Sequence, residues 1–215
     1  KISDITGNVH NSILLYANTI DLRNFKDVVT TPTGNEFPLN GNVFVANPWF
    51  TMKNYKNDTK RNRMISSAAL KYTFDNGLFL QGRIGRDYFN DRYTEITPTG
   101  SAYRLTGGLT EELGSFTEIN ADVLMGKSFR INENISVTPN IGASLRNVKT
   151  ENINSGGNGF AVPYVYYLTN VPSRTVSYGL SEEEIQSVYG TLEIDYKSLL
   201  YLTATGRNDW FSTLA

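Results

Sequence analysis

The sequence predicts an all-β fold: about six long antiparallel strands in three hairpins, forming part of a large transmembrane β-barrel. Three observations predict it. Aromatic residues make up 12% of the 215 residues, with 13 Tyr, 11 Phe and 18 Gly, while charged residues reach only 19%, and aromatic side chains favour strands. Six stretches alternate apolar and polar with a period of two. Each outlasts the five or six residues usual for a strand and suffices for the roughly 9–11 that cross a bilayer. Finally, short turns join these stretches at one end and long connections at the other, the habit of outer-membrane barrels.

The first hairpin joins Arg63–Phe74 to Leu78–Tyr93 through Asp75-Asn76-Gly77, whose Asn-Gly readily takes positive φ. The second joins Phe116–Phe129 to Ile135–Asn147 through the short polar "RINEN". The third joins Ile185–Tyr196 to Leu199–Trp210 through Lys197-Ser198. The connections Thr94 to Ser115 and Val148 to Glu184 are rich in Gly, Ser, Thr, Asn and Pro and exceed the usual loop length. Upstream, "NSILLYANTIDL" at Asn11–Leu22 places Ile13, Leu14, Ala17 and Ile20 at roughly helical spacing, though its β-branched residues leave a strand open.

Sorting each stretch into its two faces gives one apolar and one polar set. Met64, Leu70, Leu80, Ile84, Val123, Met125, Ile141, Leu145, Val188, Leu192, Leu200 and Leu202 share the apolar side. Arg83, Asp87, Glu118, Asn120, Asp122, Arg146, Arg207 and Asp209 fall on the polar side and are predicted to face a lumen. Aromatics near strand ends on the apolar side, Tyr72, Phe74, Tyr88, Tyr196 and Trp210, suit an interfacial girdle. Arg86 breaks the pattern, either snorkelling at the interface or shifted by a bulge. A soluble sheet with its apolar side on a core also alternates, but six strands of this length strain that reading. Six are also too few to close such a barrel, so further strands are expected before Lys1, after Ala215, or both.

Other function classes find little support. The formal net charge is −1 with both signs interspersed, so nothing would draw nucleic acid. There is no cysteine, hence no disulfide or thiolate chemistry. The single histidine, His10, stands in a polar segment without partners, and no cofactor or metal set is evident. "GRIGRD" lies inside a strand pattern with no following helix, which excludes a phosphate cradle. "SGGNG" at Ser155–Gly159 reads as flexible loop, and "SEEE" at Ser181–Glu184 as a solvated turn or a helix start with a capping box.

Several words in order carry a family likeness. "GRNDWFSTL" at Gly206–Leu214, the run Asn47–Asp91 from "NPWF" through "RNR" to "GRIGRDY", and "SVYGTLEIDYKSLLYL" at Ser187–Leu202 resemble segments of SusC/RagA-type TonB-dependent outer-membrane receptors. The likeness spans about Asp21 to Leu214 and departs at Arg86, where an aromatic is more usual, and at Phe211, where a small residue is common. It implies that residues 1–215 are a partial receptor barrel domain, without signal peptide or plug, in the bacterial outer membrane. It further implies import of glycans or peptides beneath a SusD-like surface lipoprotein, driven by the TonB complex through an N-terminal region. Transport rather than catalysis is the expectation, with a secreted carbohydrate-binding β protein or a siderophore-type receptor as alternatives. Trp49, Phe50, Tyr164, Tyr166 and Tyr167 fall in segments assigned to the extracellular side. Their rings are candidates for contact with substrate or lid, or else they pack loop against loop.

Overall fold

A computed structural model describes residues 9–212, except the side chains of His10 and Asn11. Two short helices, α1 (Val9–Leu15) and α2 (Pro48–Asn54), precede the strands β1 (Lys56–Thr73), β2 (Leu78–Thr97), β3 (Gly108–Lys127), β4 (Phe129–Asn132), β5 (Ile135–Asn158), β6 (Arg174–Tyr196) and β7 (Leu200–Phe211). They form one sheet ordered β1-β2-β3-β5-β6-β7, with β4 pairing β5. Each strand on that path is thus bonded to its neighbours in sequence, and the described sheet has two open edges.

The six expected strands are present but mostly longer. β1 begins at Lys56, so the charged "KRNR" is already strand rather than a lead-in. β5 runs through Asn158 and β6 starts at Arg174, which shrinks the expected loops to 98–107 and 159–173. The "SEEE" segment is therefore strand and neither turn nor helix start. "SGGNG" is likewise strand through Asn158, not flexible loop. Its glycines serve close packing: a Cβ on Gly156 would sit 2.5 Å from the Leu109 carbonyl oxygen and 2.9 Å from Thr110 Cα. Small polar residues read as loop because composition cannot show that neighbouring backbones leave no space for side chains.

"RINEN" is mostly the extra strand β4. Phe129 faces Val137 and Asn132 faces Ile135, with a register shift between Arg130 and Asn132. The first and third turns form as expected. Gly77 has φ +80°, and Leu78 N–H donates to the Asn76 side-chain oxygen at 3.0 Å. Lys197 and Ser198 both take φ +55°, and Leu199 N–H closes the turn on the Tyr196 carbonyl at 3.0 Å.

The chain divides into two compact units. One holds the described residues up to Lys60 with Asp91–Leu113 and Asn152–Tyr178; the other holds Arg61–Asn90, Gly114–Glu151 and Gly179 onward. The first has a core in the ordinary sense. Ile96, Leu109, Phe160 and Val171 are buried together, with Tyr166 and Leu168 packed on them. A second node gathers the helices, which agrees with the helical spacing read at Ile13–Ile20 as far as Leu15. Asn47 caps α2, accepting from Trp49 N–H at 3.0 Å and Phe50 N–H at 3.4 Å, with Pro48 in the first turn.

At this node Glu36 is 4% exposed. Its two carboxylate oxygens accept from Asn47 N–H at 2.5 Å and Ala102 N–H at 2.9 Å, tying three segments together. Burial pushes its carboxyl above the usual range, against the lowering pull of those amides. Burial and the nearby Glu36 likewise push the Tyr16 hydroxyl up to about 12. Tyr16 Oη donates to the Ala46 carbonyl at 3.2 Å, so the buried phenol is satisfied.

The second unit has no such core. Its apolar side chains stay on one face of the sheet, uncovered by anything in the described chain: Leu70 is 77% exposed, Ile84 53%, Ile141 54% and Leu202 61%. Arg86 lies on that face with its guanidinium 5.1 Å from the Tyr88 ring centroid, a cation held at an aromatic. An exposed apolar face crossing a whole sheet is far beyond the isolated apolar residues of a soluble surface.

Candidate functional site: the polar face of the sheet

The opposite face of the same unit carries a ladder of ion pairs, completed by a hydrogen bond between β6 and β7, that links every neighbouring pair of long strands. Between β1 and β2, Arg63 Nε donates to Asp87 at 2.9 Å. Between β2 and β3, Arg83 Nε sits 3.0 Å from both Asp122 oxygens. Between β3 and β5, Arg146 Nε and Nη2 reach Glu118 at 3.0 and 3.2 Å, and Asn120 Nδ2 donates to the same carboxylate at 2.8 Å. Arg146 Nη1 lies 3.6 Å from Glu183 of β6. Between β6 and β7, Arg207 Nη2 donates to Ser187 Oγ at 2.8 Å while its Nε donates to Asp209 at 2.6 Å.

All eight polar residues singled out in the sequence belong to this ladder. Arg63, Glu183 and Ser187 were not among them, although the same i, i+2 alternation places them on the face. The guanidinium groups are roughly half exposed, so each pair adds little to stability. The main effect is to fix where the guanidinium groups point.

Aromatics occupy this face too. Phe79 and Phe89 share the parity of Arg83, so the signal was present. Phe89 stacks on Phe116 with centroids 4.9 Å apart, and Arg61 lies 4.1 Å above the Phe89 ring. Two rings fill gaps left by glycine: a Cβ on Gly126 would meet Phe79 at 2.8 Å, and one on Gly142 would meet the Tyr189 ring at 2.5 Å. A ring laid over a strand glycine restores packing that the missing side chain gave up. Tyr189, with Arg83, Asp122, Arg146 and Arg207, lines an open recess of about 440 Å³.

The five loop aromatics separate by environment. Phe50 is 1% exposed and packs edge-on against Tyr55 with centroids 6.4 Å apart, so it is core and does not offer its ring to substrate or lid. Its place three residues past the Asn47 cap turns it inward. Trp49 is half-buried, and its Nε1 donates to the Leu22 carbonyl at 2.8 Å. Tyr166 packs edge-on to Phe160 at 5.2 Å. Tyr166 and Tyr167 together line a recess of about 510 Å³ with Lys56, Asp58, Arg92 and Glu111. Tyr164 has φ +63° and lies against Gly34, and it and Tyr167 are exposed.

No group of three or more His, Asp or Glu able to hold a metal occurs among the described residues. The His10 side chain lies outside them. No helix of the described residues is long and apolar enough to cross a membrane, which says nothing of strands.

No family model matches the chain, and no curated relative matches it. Solved structures do. A RagAB peptide transporter chain superposes with a TM-score of 0.72 at 16% identity, covering 84% of this chain and 21% of that one. The RagAB peptide importer in its closed-closed state gives 0.71 at 17% identity, and in its open-open state 0.72 at 16%, with the same coverage. The chain thus spans about a fifth of the length of the transporter chains it matches. The likeness agrees with the SusC/RagA resemblance carried by the sequence motifs, and the fold is that of a β-barrel segment, antiparallel and unclosed over the described residues.

Proposed function

We propose that this chain is a barrel segment of a bacterial outer-membrane importer, with its apolar face in lipid and its polar face lining the lumen. The observation that carries this reading is the uncovered apolar face running from Leu70 on β1 to Leu202 on β7, backed by a ladder of ion pairs. In water that face would drive association; against lipid it needs no cover. The cargo is a glycan or a peptide, the class carried by the RagAB neighbours being peptide. A SusD-like lipoprotein over the mouth and the TonB complex acting on an N-terminal region complete the proposal, and Tyr164 and Tyr167 are its exposed aromatic contacts.

These residues contain no cysteine, so an introduced thiol is the only one among them. In the full-length protein reconstituted in liposomes, Thr203→Cys should react with a water-soluble maleimide and Leu202→Cys should not. Equal labelling of both would sink the lipid-face assignment and favour a soluble β protein.

A further inference from the structure

The ladder leaves guanidinium donors unspent at one place. Arg83 gives only its Nε to Asp122, and neither of its terminal nitrogens has a partner among the described residues. Arg207 uses Nε on Asp209 and Nη2 on Ser187, which leaves Nη1 without one. Arg146, by contrast, spends all three nitrogens on Glu118 and Glu183. Arg83 and Arg207 both line the recess of about 440 Å³, where the arginines outnumber the one lining carboxylate, Asp122. Glu118, Glu183 and Asp209 complete the pairs without lining it.

Arg207 keeps one free donor nitrogen, Nη1, while Arg83 keeps its whole Nη1–Nη2 fork, held in place by Asp122 behind its Nε. A guanidinium so oriented offers parallel N–H donors at the spacing of two carboxylate oxygens and loses little rotamer freedom on using them. The Tyr189 ring, with the Arg207 guanidinium 6.0 Å from its centroid, adds a flat apolar wall beside that edge. We infer that the recess bounded by Arg83, Arg207 and Tyr189 is a binding subsite for the carboxylate of a transported solute, such as the C-terminus of a short peptide. This rests on the polar face being the lumen side. A carboxylate elsewhere in the same protein has the same chemistry, and the experiment separates the two sources.

The full-length protein in detergent is titrated at low salt with an N-acetylated tetrapeptide of neutral side chains, once with a free C-terminal carboxylate and once amidated. The wild type should bind the free carboxylate about 10-fold more tightly, the scale of a charge-assisted hydrogen bond. Arg83→Gln and Arg207→Gln should each bring the ratio towards one. Arg63→Gln, whose guanidinium is committed to Asp87 outside the recess, should keep it. Thermal melting without peptide confirms that each variant is folded. A wild type without preference, or a ratio unchanged in both recess variants, overturns the subsite. So does an absent preference coupled to a midpoint of Arg83→Gln without peptide lower than that of Arg63→Gln, which loses an ion pair of the same kind; that would mean that the protein fills the recess itself. The maleimide pattern at Leu202 and Thr203 reports separately on the lumen assignment.

Discussion

Gly156→Ala should weaken the first unit because of backbone, not because of the glycine's own dihedral angles. The new Cβ would lie 2.5 Å from the Leu109 carbonyl oxygen and 2.9 Å from Thr110 Cα, both main-chain atoms of β3. Ordinary contact begins near 3.4 Å, so β3 and β5 must separate by most of an ångström, and neither atom can rotate away. Leu109 also belongs to the buried cluster with Ile96, Phe160 and Val171, so the shift loosens packing as well as hydrogen bonds. Overpacking of this kind costs about 1–3 kcal/mol. Gly206→Ala in β7 is the control, because nothing lies within 4 Å of its Cβ; there the substitution should be neutral or mildly stabilising. The assay is the thermal unfolding midpoint of the full-length protein in detergent, with limited proteolysis of the region around Asn152–Tyr178. Equal midpoints and equal cleavage for the two variants would refute the steric account and return "SGGNG" to a flexible loop.

Three further outcomes are expected. Ile84→Arg should destabilise insertion by about 2–4 kcal/mol if that residue lies near the bilayer midplane, read as loss of the folded form in liposomes; an effect near zero would mean Ile84 meets water. The raised carboxyl of Glu36 makes the folded protein hold a proton more tightly than the unfolded chain. Its contribution is therefore full below the ordinary glutamate range and is lost as pH rises through the elevated value. Glu36→Gln should lack that slope in unfolding measured across mildly acidic to neutral pH, and a wild type and variant with parallel pH profiles would contradict it. Trp49→Phe removes the donor to the Leu22 carbonyl and should cost about 0.5–1.5 kcal/mol, seen as faster proteolysis between α1 and α2; unchanged cleavage would show that the bond contributes nothing.

Strand identity and facing were legible because alternation with period two survives any loop chemistry. Eight of the ladder's polar residues followed from that one rule, as did the apolar face opposite. Strand ends were not legible. Residues 152–158 and 181–184 have loop-like composition, and what makes them strand is pairing with neighbours distant in sequence. Phe50 stayed open between packing and contact with substrate or lid because a capped turn such as Asn47-Pro48 decides which way the following ring points, and composition alone gives no direction. The parity of Phe79 and Tyr189 already put them on the polar face, but that their rings fill the space over Gly126 and Gly142 was not legible, because those glycines lie on other strands. The Glu36 node brings together segments 66 residues apart, Glu36 and Ala102, and no local pattern announces it.

The nearest-neighbour order of the sheet, β1-β2-β3-β5-β6-β7, also bears on how such a chain can change over evolutionary time. Because each long strand's partners are its sequence neighbours, a duplicated or deleted hairpin leaves the remaining ladder able to rejoin. Strand direction alternates, so one strand alone cannot be gained without placing its successor parallel; two can. The hairpin is therefore the unit of inheritance in this sheet, and the lengths of its connections can drift while the alternating faces stay in phase.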